Sequence, residues 1–313
     1  MRLILFILVF LSVGANAQMV IKAHPNYVPL GITPILDIYT NAAGAYSLRK
    51  LRSGYTGAAI RIRKDTTGQP EQDINFVGND LDTNSIKSFL NARNGFVVTW
   101  YDQSGNGLNV TQATQASQPQ IAALGSIYYE NNRPTILFDG SNDILERLNV
   151  DLFRNQDSAA CYAVTRWISS PAVLRLLFFC SNNLSFTQTR YLLGGGNTAN
   201  KYSIGSRRLD AGVTFVDNTT DNINTSNLVL QTGLVNYATP RHLLYINNIE
   251  KLTAIPGYVG GNTSNTTALK ISIGGQTTAA ANANARISEV IIYENLNNRS
   301  LIETNINNYY GIY

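Results

Sequence analysis

The chain has 313 residues, of which 44% are hydrophobic and only 14% charged, and its net charge is +4 at pH 7. That modest, dispersed charge leaves no electrostatic footprint for nucleic acid. Two histidines and two cysteines, none in a CxxC or His-flanked pattern, exclude a zinc constellation. Asn fills 36 positions, which suits a polar, uncharged surface able to hydrogen-bond neutral ligands.

The chain opens with Met1-Arg2, the apolar run LILFILVFL and the small residues around Ala15-Asn16-Ala17. This predicts a secretory leader over 1–17, a mature chain from Gln18 and an extracellular or cell-surface location. The run is too short to span a bilayer, which needs ~20 helical residues; the alternatives are an uncleaved anchor or a buried strand. After Pro25, Pro29 and Pro34, the stretch LDIYTNAAGAYSLRKLR has apolar residues recurring every three to four positions and predicts a short helix. AAIRIRK alternates as a strand, with Arg61 and Arg63 on one face. DTNSIKSFLNAR predicts a surface helix starting at Asp82 or Thr83, with Ile86, Phe89 and Leu90 on its inner side. FVVTWY then runs as a strand into the glycine-spaced corner Asp102–Gly107, where Asp102 is suited to cap backbone amides, and the chain resumes as LNVTQAT.

Beyond Arg133, the segments RPTILFDGSNDILE, ACYAVTRWI, LRLLFFCS, KYSIGS, RHLLYINNIEKLTA and LKISIGG alternate as strands between runs of Gly, Asn, Ser and Thr. TFVDNTTDNINT reads as a solvated loop, and Gly194-Gly195-Gly196 as a mobile loop rather than a phosphate cradle. ARISEVIIYENLNNRSLIETNINNYYGIY predicts a last strand and a carboxy-terminal helix with Leu301, Ile302 and Ile306 facing inward. These short, regularly spaced strands mean a sandwich or barrel, with no internal repeat.

TWYDQSGNGLNVTQA, together with AYSLRKLRSGYTGAAIRIRK, resembles the amino-terminal part of the α-L-arabinofuranosidase B catalytic domain family. The same cassette is similar to concanavalin A-like or laminin G-like jelly rolls of bacterial and phage surface proteins. RPTILFDG resembles the first strand of such a jelly roll, and the close resembles the family's last strand and helix. The resemblance runs from about 36 to 313. It implies an all-β, concanavalin A-like jelly-roll sandwich with short peripheral helices and a carboxy-terminal helix. The expected division is an embellishment over 18–132 and a laminin G-like jelly roll over 133–313, forming one structural unit with 36–132.

A retaining glycosidase needs two carboxyl groups about 5–5.5 Å apart across the sugar. Between Ser158 and Ser288 the carboxylates are Asp210, Asp217, Asp221 and Glu250, with Asp217 and Asp221 in the expected solvated loop and Glu250 after the INN turn, none in an apolar setting suited to an acid. In the arabinofuranosidases the acid follows two glycines in an IGGD-like segment; here that segment reads Ile273-Gly274-Gly275-Gln276, and Cys180–Gly205, where the nucleophile is expected, holds no Asp or Glu. The resemblance therefore implies the sandwich without its hydrolase chemistry. A Ser/His/Asp triad would have to use His24 or His242, and neither has a nucleophile elbow.

Ligand binding points to Trp167, Arg166, Tyr202 and Gln276, because aromatic faces and amides hold neutral sugars. Strand aromatics such as Tyr162, Tyr191, Tyr245 and Tyr258 equally serve as core. Cys161 and Cys180 would lie opposite each other in a hairpin through Ser169-Ser170-Pro171, paired in a disulfide or packed as two buried thiols, with Arg166 and Arg175 then adjacent. Asp139, Asn142 and Asp143 offer oxygen ligands for Ca²⁺, turn capping being the alternative; no other cofactor is expected. The functions in contention are a secreted, non-catalytic carbohydrate-binding or surface protein, an α-L-arabinofuranosidase-like hydrolase with relocated carboxylates, and a virion or fibre component. The partners expected are a neutral glycan or cell-surface polysaccharide and further copies of the chain, with no nucleic acid and no membrane after leader cleavage.

Overall fold

The computed structural model describes residues 32–182, 188–277 and 280–313. The expected leader and His24 lie outside the described residues. Ile32–Tyr313 form one compact unit built from antiparallel strand pairs, so the expected all-β sandwich is what the chain adopts.

One sheet is centred on the ten-residue strands Ser158–Trp167 and Asn284–Tyr293. It continues through Val229–Asn236, Arg241–Ile246 and Ile249–Ala254. On its other side, Asn284–Tyr293 pairs with two short strands in succession, Gly44–Ser47 and Ile136–Asp139. The second sheet runs Leu145–Val150, Ala268–Ile273, Arg175–Ser181, Thr189–Gly195, Lys201–Ser206 and Phe215–Asn222. The amino-terminal strands Ile60–Lys64, Gly95–Trp100 and Gln120–Ala123 join the first sheet where Gln120 pairs with Leu137.

Period-two alternation explains the burial of the central strand on both faces. Ala159, Cys161 and Ala163 face the core between the sheets, while Ala160, Tyr162 and Val164 face a second core on the outside of the sheet. The helix Arg299–Tyr310 covers that outer core with Ile302, Ile306, Tyr309 and Tyr310. Leu301, expected on the inner face, is 54% exposed; one position of helical rotation carries it to the solvent side. The helix is tied down by a buried network. Arg49 Nε and Nη2 donate to Glu289 at 2.7 and 2.9 Å, Ser47 Oγ donates to the same carboxylate at 2.7 Å, and Arg49 Nη1 reaches Asn305 Oδ1 at 3.0 Å.

Some local expectations give way to pairing. The helix predicted over 36–52 shrinks to Ile35–Ile38, and Gly44–Ser47 becomes a strand because the edge of Asn284–Tyr293 supplies its hydrogen bonds. Phe215–Asn222 is a strand, not a solvated loop, and Gly194-Gly195 end the strand Thr189–Gly195 instead of forming a mobile loop. The cysteine hairpin is not found. Ser158–Trp167 and Arg175–Ser181 belong to different sheets, so Cys161 and Cys180 sit in the inter-sheet core as free, buried thiols.

Candidate functional site

Two glycine turns build one end of the sandwich. Ile136–Asp139 ends in Phe138-Asp139-Gly140, and Ala268–Ile273 ends in Gly274-Gly275. Gly274 has φ +88°, and a Cβ there would fall 2.1 Å from the Phe138 ring, so only glycine admits the buried phenylalanine. Gly140, at φ +80°, approaches Asn284 in the same way. The turns are also cross-linked, since Asn282 Nδ2 donates to Asp143 O at 3.3 Å and to Thr277 O at 2.9 Å.

Within the Asp139–Asp143 loop the carboxylates serve the backbone. Asp139 Oδ1 accepts from the amides of Ser141 and Asn142 at 2.8 and 3.4 Å, and Asp143 Oδ2 accepts from the Asp139 amide at 2.9 Å. These bonds make Asp139 and Asp143 turn caps, the alternative to the Ca²⁺ site considered for Asp139, Asn142 and Asp143. Among the described residues no group of three or more His, Cys, Asp or Glu could hold a metal. Burial, reinforced by the neighbouring Asp139, pushes the Asp143 carboxyl up to about 7.

On one side of this loop lies a cleft of about 420 Å³ lined by Asp139, Asp143, Leu137, Phe96, Arg63, Asp65 and three glutamines. Arg63 is buried, its Nε donating to Gln118 Oε1 at 2.6 Å and its guanidinium stacked 4.6 Å over the Phe96 ring. Gln118 Nε2 in turn donates to Gln112 O at 2.8 Å. The wall thus carries an aromatic ring, a fixed cation and amides. On the other side, a smaller cleft of about 240 Å³ runs beneath Ser169–Val173, with Trp167, Asn282, Asn284 and Arg175 in its lining.

The structure brings only part of the predicted site together. Trp167 contributes to the smaller cleft but is fully buried, paired with the equally buried Ala285 on the final strand. Gln276 follows Gly275 into the same cross-linked turn and is 5% exposed, its backbone N–H donating to Ala280 O at 3.1 Å. Arg166 and Tyr202 line neither cleft. Arg166 sits opposite Arg286, not beside Arg175, and Glu130 lies between the two guanidiniums at 2.9 and 2.6 Å. Tyr202 is core, its hydroxyl accepting from the Asn224 amide at 2.9 Å. Sequence reasoning passed over Arg63, Phe96 and Gln118. The clue available was the alternation in AAIRIRK, which put an arginine at a position that the fold buries.

The corner at Asp102 behaves as expected. Its carboxylate accepts from the amides of Ala45, Ser104 and Leu108 at 2.9 to 3.0 Å and from Ser104 Oγ at 2.7 Å. Beside it, a cleft of about 670 Å³ carries Asp37 and Glu294. Both are tied to backbone amides, of Ser53 and Phe153 respectively.

No family model and no curated protein matches the chain. Among solved structures it is similar to an arabinofuranosidase complexed with arabinofuranosyl-α-1,2-xylobiose, at 15% identity over 87% of this chain, with a TM-score of 0.66. It is also similar to a GH54 α-L-arabinofuranosidase soaked with a cyclic sulfate inhibitor, at 16% identity over 87% of this chain, with a TM-score of 0.65. The chain spans 64% of the length of each of those chains. At that identity the likeness establishes the shared β-sandwich.

Proposed function

We propose that this chain is a secreted carbohydrate-binding sandwich whose cleft of about 420 Å³ takes a neutral glycan, non-catalytically, between Phe96, Arg63 and its amides. The observation that carries this reading is the wall built on buried Arg63, whose guanidinium stacks on the Phe96 ring and is hydrogen-bonded by Gln118, itself bonded to the backbone at Gln112. Sugars are held by apolar C–H faces on aromatic rings and by groups that donate and accept in fixed directions. The similar structures that hold an arabinofuranosyl oligosaccharide or an inhibitor add support through fold alone. Hydrolysis is disfavoured because Asp139 and Asp143 lie on one turn, bonded to its amides, and Gln276 supplies no titratable proton. Titration calorimetry with arabinoxylan oligosaccharides tests the reading. Phe96→Ala and Gln118→Ala should each weaken binding roughly tenfold or more, the scale of a 1–2 kcal/mol contact. Undiminished binding in both variants sinks the assignment.

One observation favours the second reading, an arabinofuranosidase-like hydrolase: the carboxyl of Asp143 is raised to about 7 within reach of the cleft, as a general acid requires. Release of 4-nitrophenol from its α-L-arabinofuranoside, lost in Asp143→Asn, would establish that chemistry and end the non-catalytic reading.

A further inference from the structure

Ser206, Asp217 and His242 are far apart in sequence, yet the fold puts them in line where the two sheets meet. Ser206 ends Lys201–Ser206, Asp217 lies on the adjacent strand Phe215–Asn222, and His242 lies on Arg241–Ile246 of the opposite sheet. Ser206 Oγ is 2.6 Å from His242 Nε2, and His242 Nδ1 is 2.7 Å from Asp217 Oδ2. A carboxylate only accepts, so the imidazole proton is assigned to Nδ1, which leaves Nε2 as the acceptor of the Ser206 hydroxyl proton. Nucleophile, base and orienting acid thus stand in the order used by serine acyl transfer, a constellation recognised by geometry and not by chain order.

Tyr258 closes this array. Its hydroxyl lies 2.9 Å from Ser206 Oγ, and with burial pushing the phenol up to about 12 it keeps its proton and donates it there. Ser206 and His242 are fully buried beneath it. Tyr258 rides on Pro256-Gly257-Tyr258-Val259-Gly260-Gly261, a segment with glycines on both sides of the ring. Ile255, just before this segment, and Val259 within it are 77% and 79% exposed, and Val213, on the loop that follows Arg208, is 68% exposed. The two loops are joined by the Ser264 amide donating to Arg208 O at 3.0 Å and by Arg208 Nη1 donating to Asn262 O at 3.1 Å. Arg208 packs against the Tyr258 segment, its Nη1 3.0 Å from where a Cβ on Gly261 would stand, and its Nε is buried with no hydrogen-bond partner among the described residues.

We propose that Ser206, His242 and Asp217 form an acyl-transfer site, closed by Tyr258 in this structure, that takes esters of apolar acyl groups. The exposed valines and isoleucine give the acyl chain an apolar rim, and the unpartnered Arg208 Nε is the donor available to a developing oxyanion. When Tyr258 swings out, Ser206 Oγ attacks the ester carbonyl carbon as its proton passes to His242 Nε2, and the carbonyl electron pair moves onto oxygen. Collapse re-forms the carbonyl and breaks the bond to the alcohol, which leaves with the proton from Nε2. Water, deprotonated by the same nitrogen, then attacks the acyl carbon; collapse breaks its bond to Ser206 Oγ, which takes the proton back from Nε2, and the carboxylic acid is released.

This inference stands apart from the glycan cleft and is tested without it. The full chain is treated with an alkyl fluorophosphonate, which loses fluoride as Ser206 Oγ bonds to phosphorus, and the adduct is located by peptide mass spectrometry. The expected result is a Ser206 adduct in the wild type, formed at least tenfold faster in Tyr258→Ala and roughly 10³-fold slower in His242→Gln, the scale on which a triad member acts. Should His242→Gln fail to fold, Ser206→Cys is alkylated with iodoacetamide at pH 6 and pH 8, and a thiolate formed through His242 reacts readily at both. Absence of a Ser206 adduct in both the wild type and a folded Tyr258→Ala, or an adduct on another serine alone, overturns the proposal. So does a Ser206→Cys thiol inert at both pH values.

Discussion

At the scale of single residues, Asp143 shows how burial changes what a carboxylate does. Its unfolded carboxyl titrates near 3.9, whereas in the fold burial and Asp139 raise it to about 7. Between roughly pH 4 and 7 the folded state therefore holds more protons than the unfolded state, so stability falls as pH rises through that window and the full penalty is present above it. The penalty is at most about 4 kcal/mol. Asp143→Asn can still accept the Asp139 amide through Oδ1 while carrying no charge. It should melt several degrees above the wild type at pH 8 and level with it at pH 4, as thermal scans by circular dichroism would read. An identical pH profile for the two proteins would show that Asp143 is not held neutral. The role of Asp102 was legible in the sequence because capping is a local act, decided by glycine spacing within a few positions. That of Arg63 was not, because its burial comes from Phe96 and Gln118, which lie 33 and 55 residues along the chain.

At the scale of elements, two predictions follow from how turns and helix are fastened. Gly274→Ala drives a methyl group into the Phe138 ring and demands φ +88° of an alanine. Overpacking and left-handed strain together should cost about 2–5 kcal/mol, seen as a lower urea midpoint; a cost near zero would mean that the two turns do not constrain each other. Glu289 is fully buried and bonded by Arg49, Ser47 and Tyr310. Glu289→Ala strands the Arg49 guanidinium and should cost about 3–5 kcal/mol, whereas the double change Arg49→Met with Glu289→Leu should recover most of that loss. Strands with clean alternation were readable from the sequence. Phe215–Asn222 was not, since its polar run is held by the neighbouring strand Lys201–Ser206 and by contacts such as Asp217 to His242 across the sheets. The cysteine hairpin failed for a related reason. Seven residues separate Ser158–Trp167 from Arg175–Ser181, enough to fold back in one sheet or to cross to the other. The choice belongs to Asn284–Tyr293 and Ala268–Ile273, which claim one strand each.

For the whole molecule, the question is whether the amino-terminal strands and the jelly roll unfold as one. Trp100 lies on Gly95–Trp100 and Trp167 on Ser158–Trp167, yet both are fully buried in the same core cluster as Cys161 and Cys180. Burial pushes the Cys180 thiol up to about 12 and that of Cys161 well above its ordinary value, so neither reacts with a disulfide reagent until the core opens. A core shared across the 60–123 strands and both sheets has no internal boundary at which partial unfolding would leave apolar surface protected. Urea transitions followed by Trp100 fluorescence in Trp167→Phe and by thiol labelling of that same variant should therefore share one midpoint, and likewise for Trp167 in Trp100→Phe. With two free thiols, that midpoint should not move when reductant is added. A Trp100 transition at lower urea than thiol exposure would instead divide the chain near residue 132 and make the amino-terminal part a separately folding embellishment.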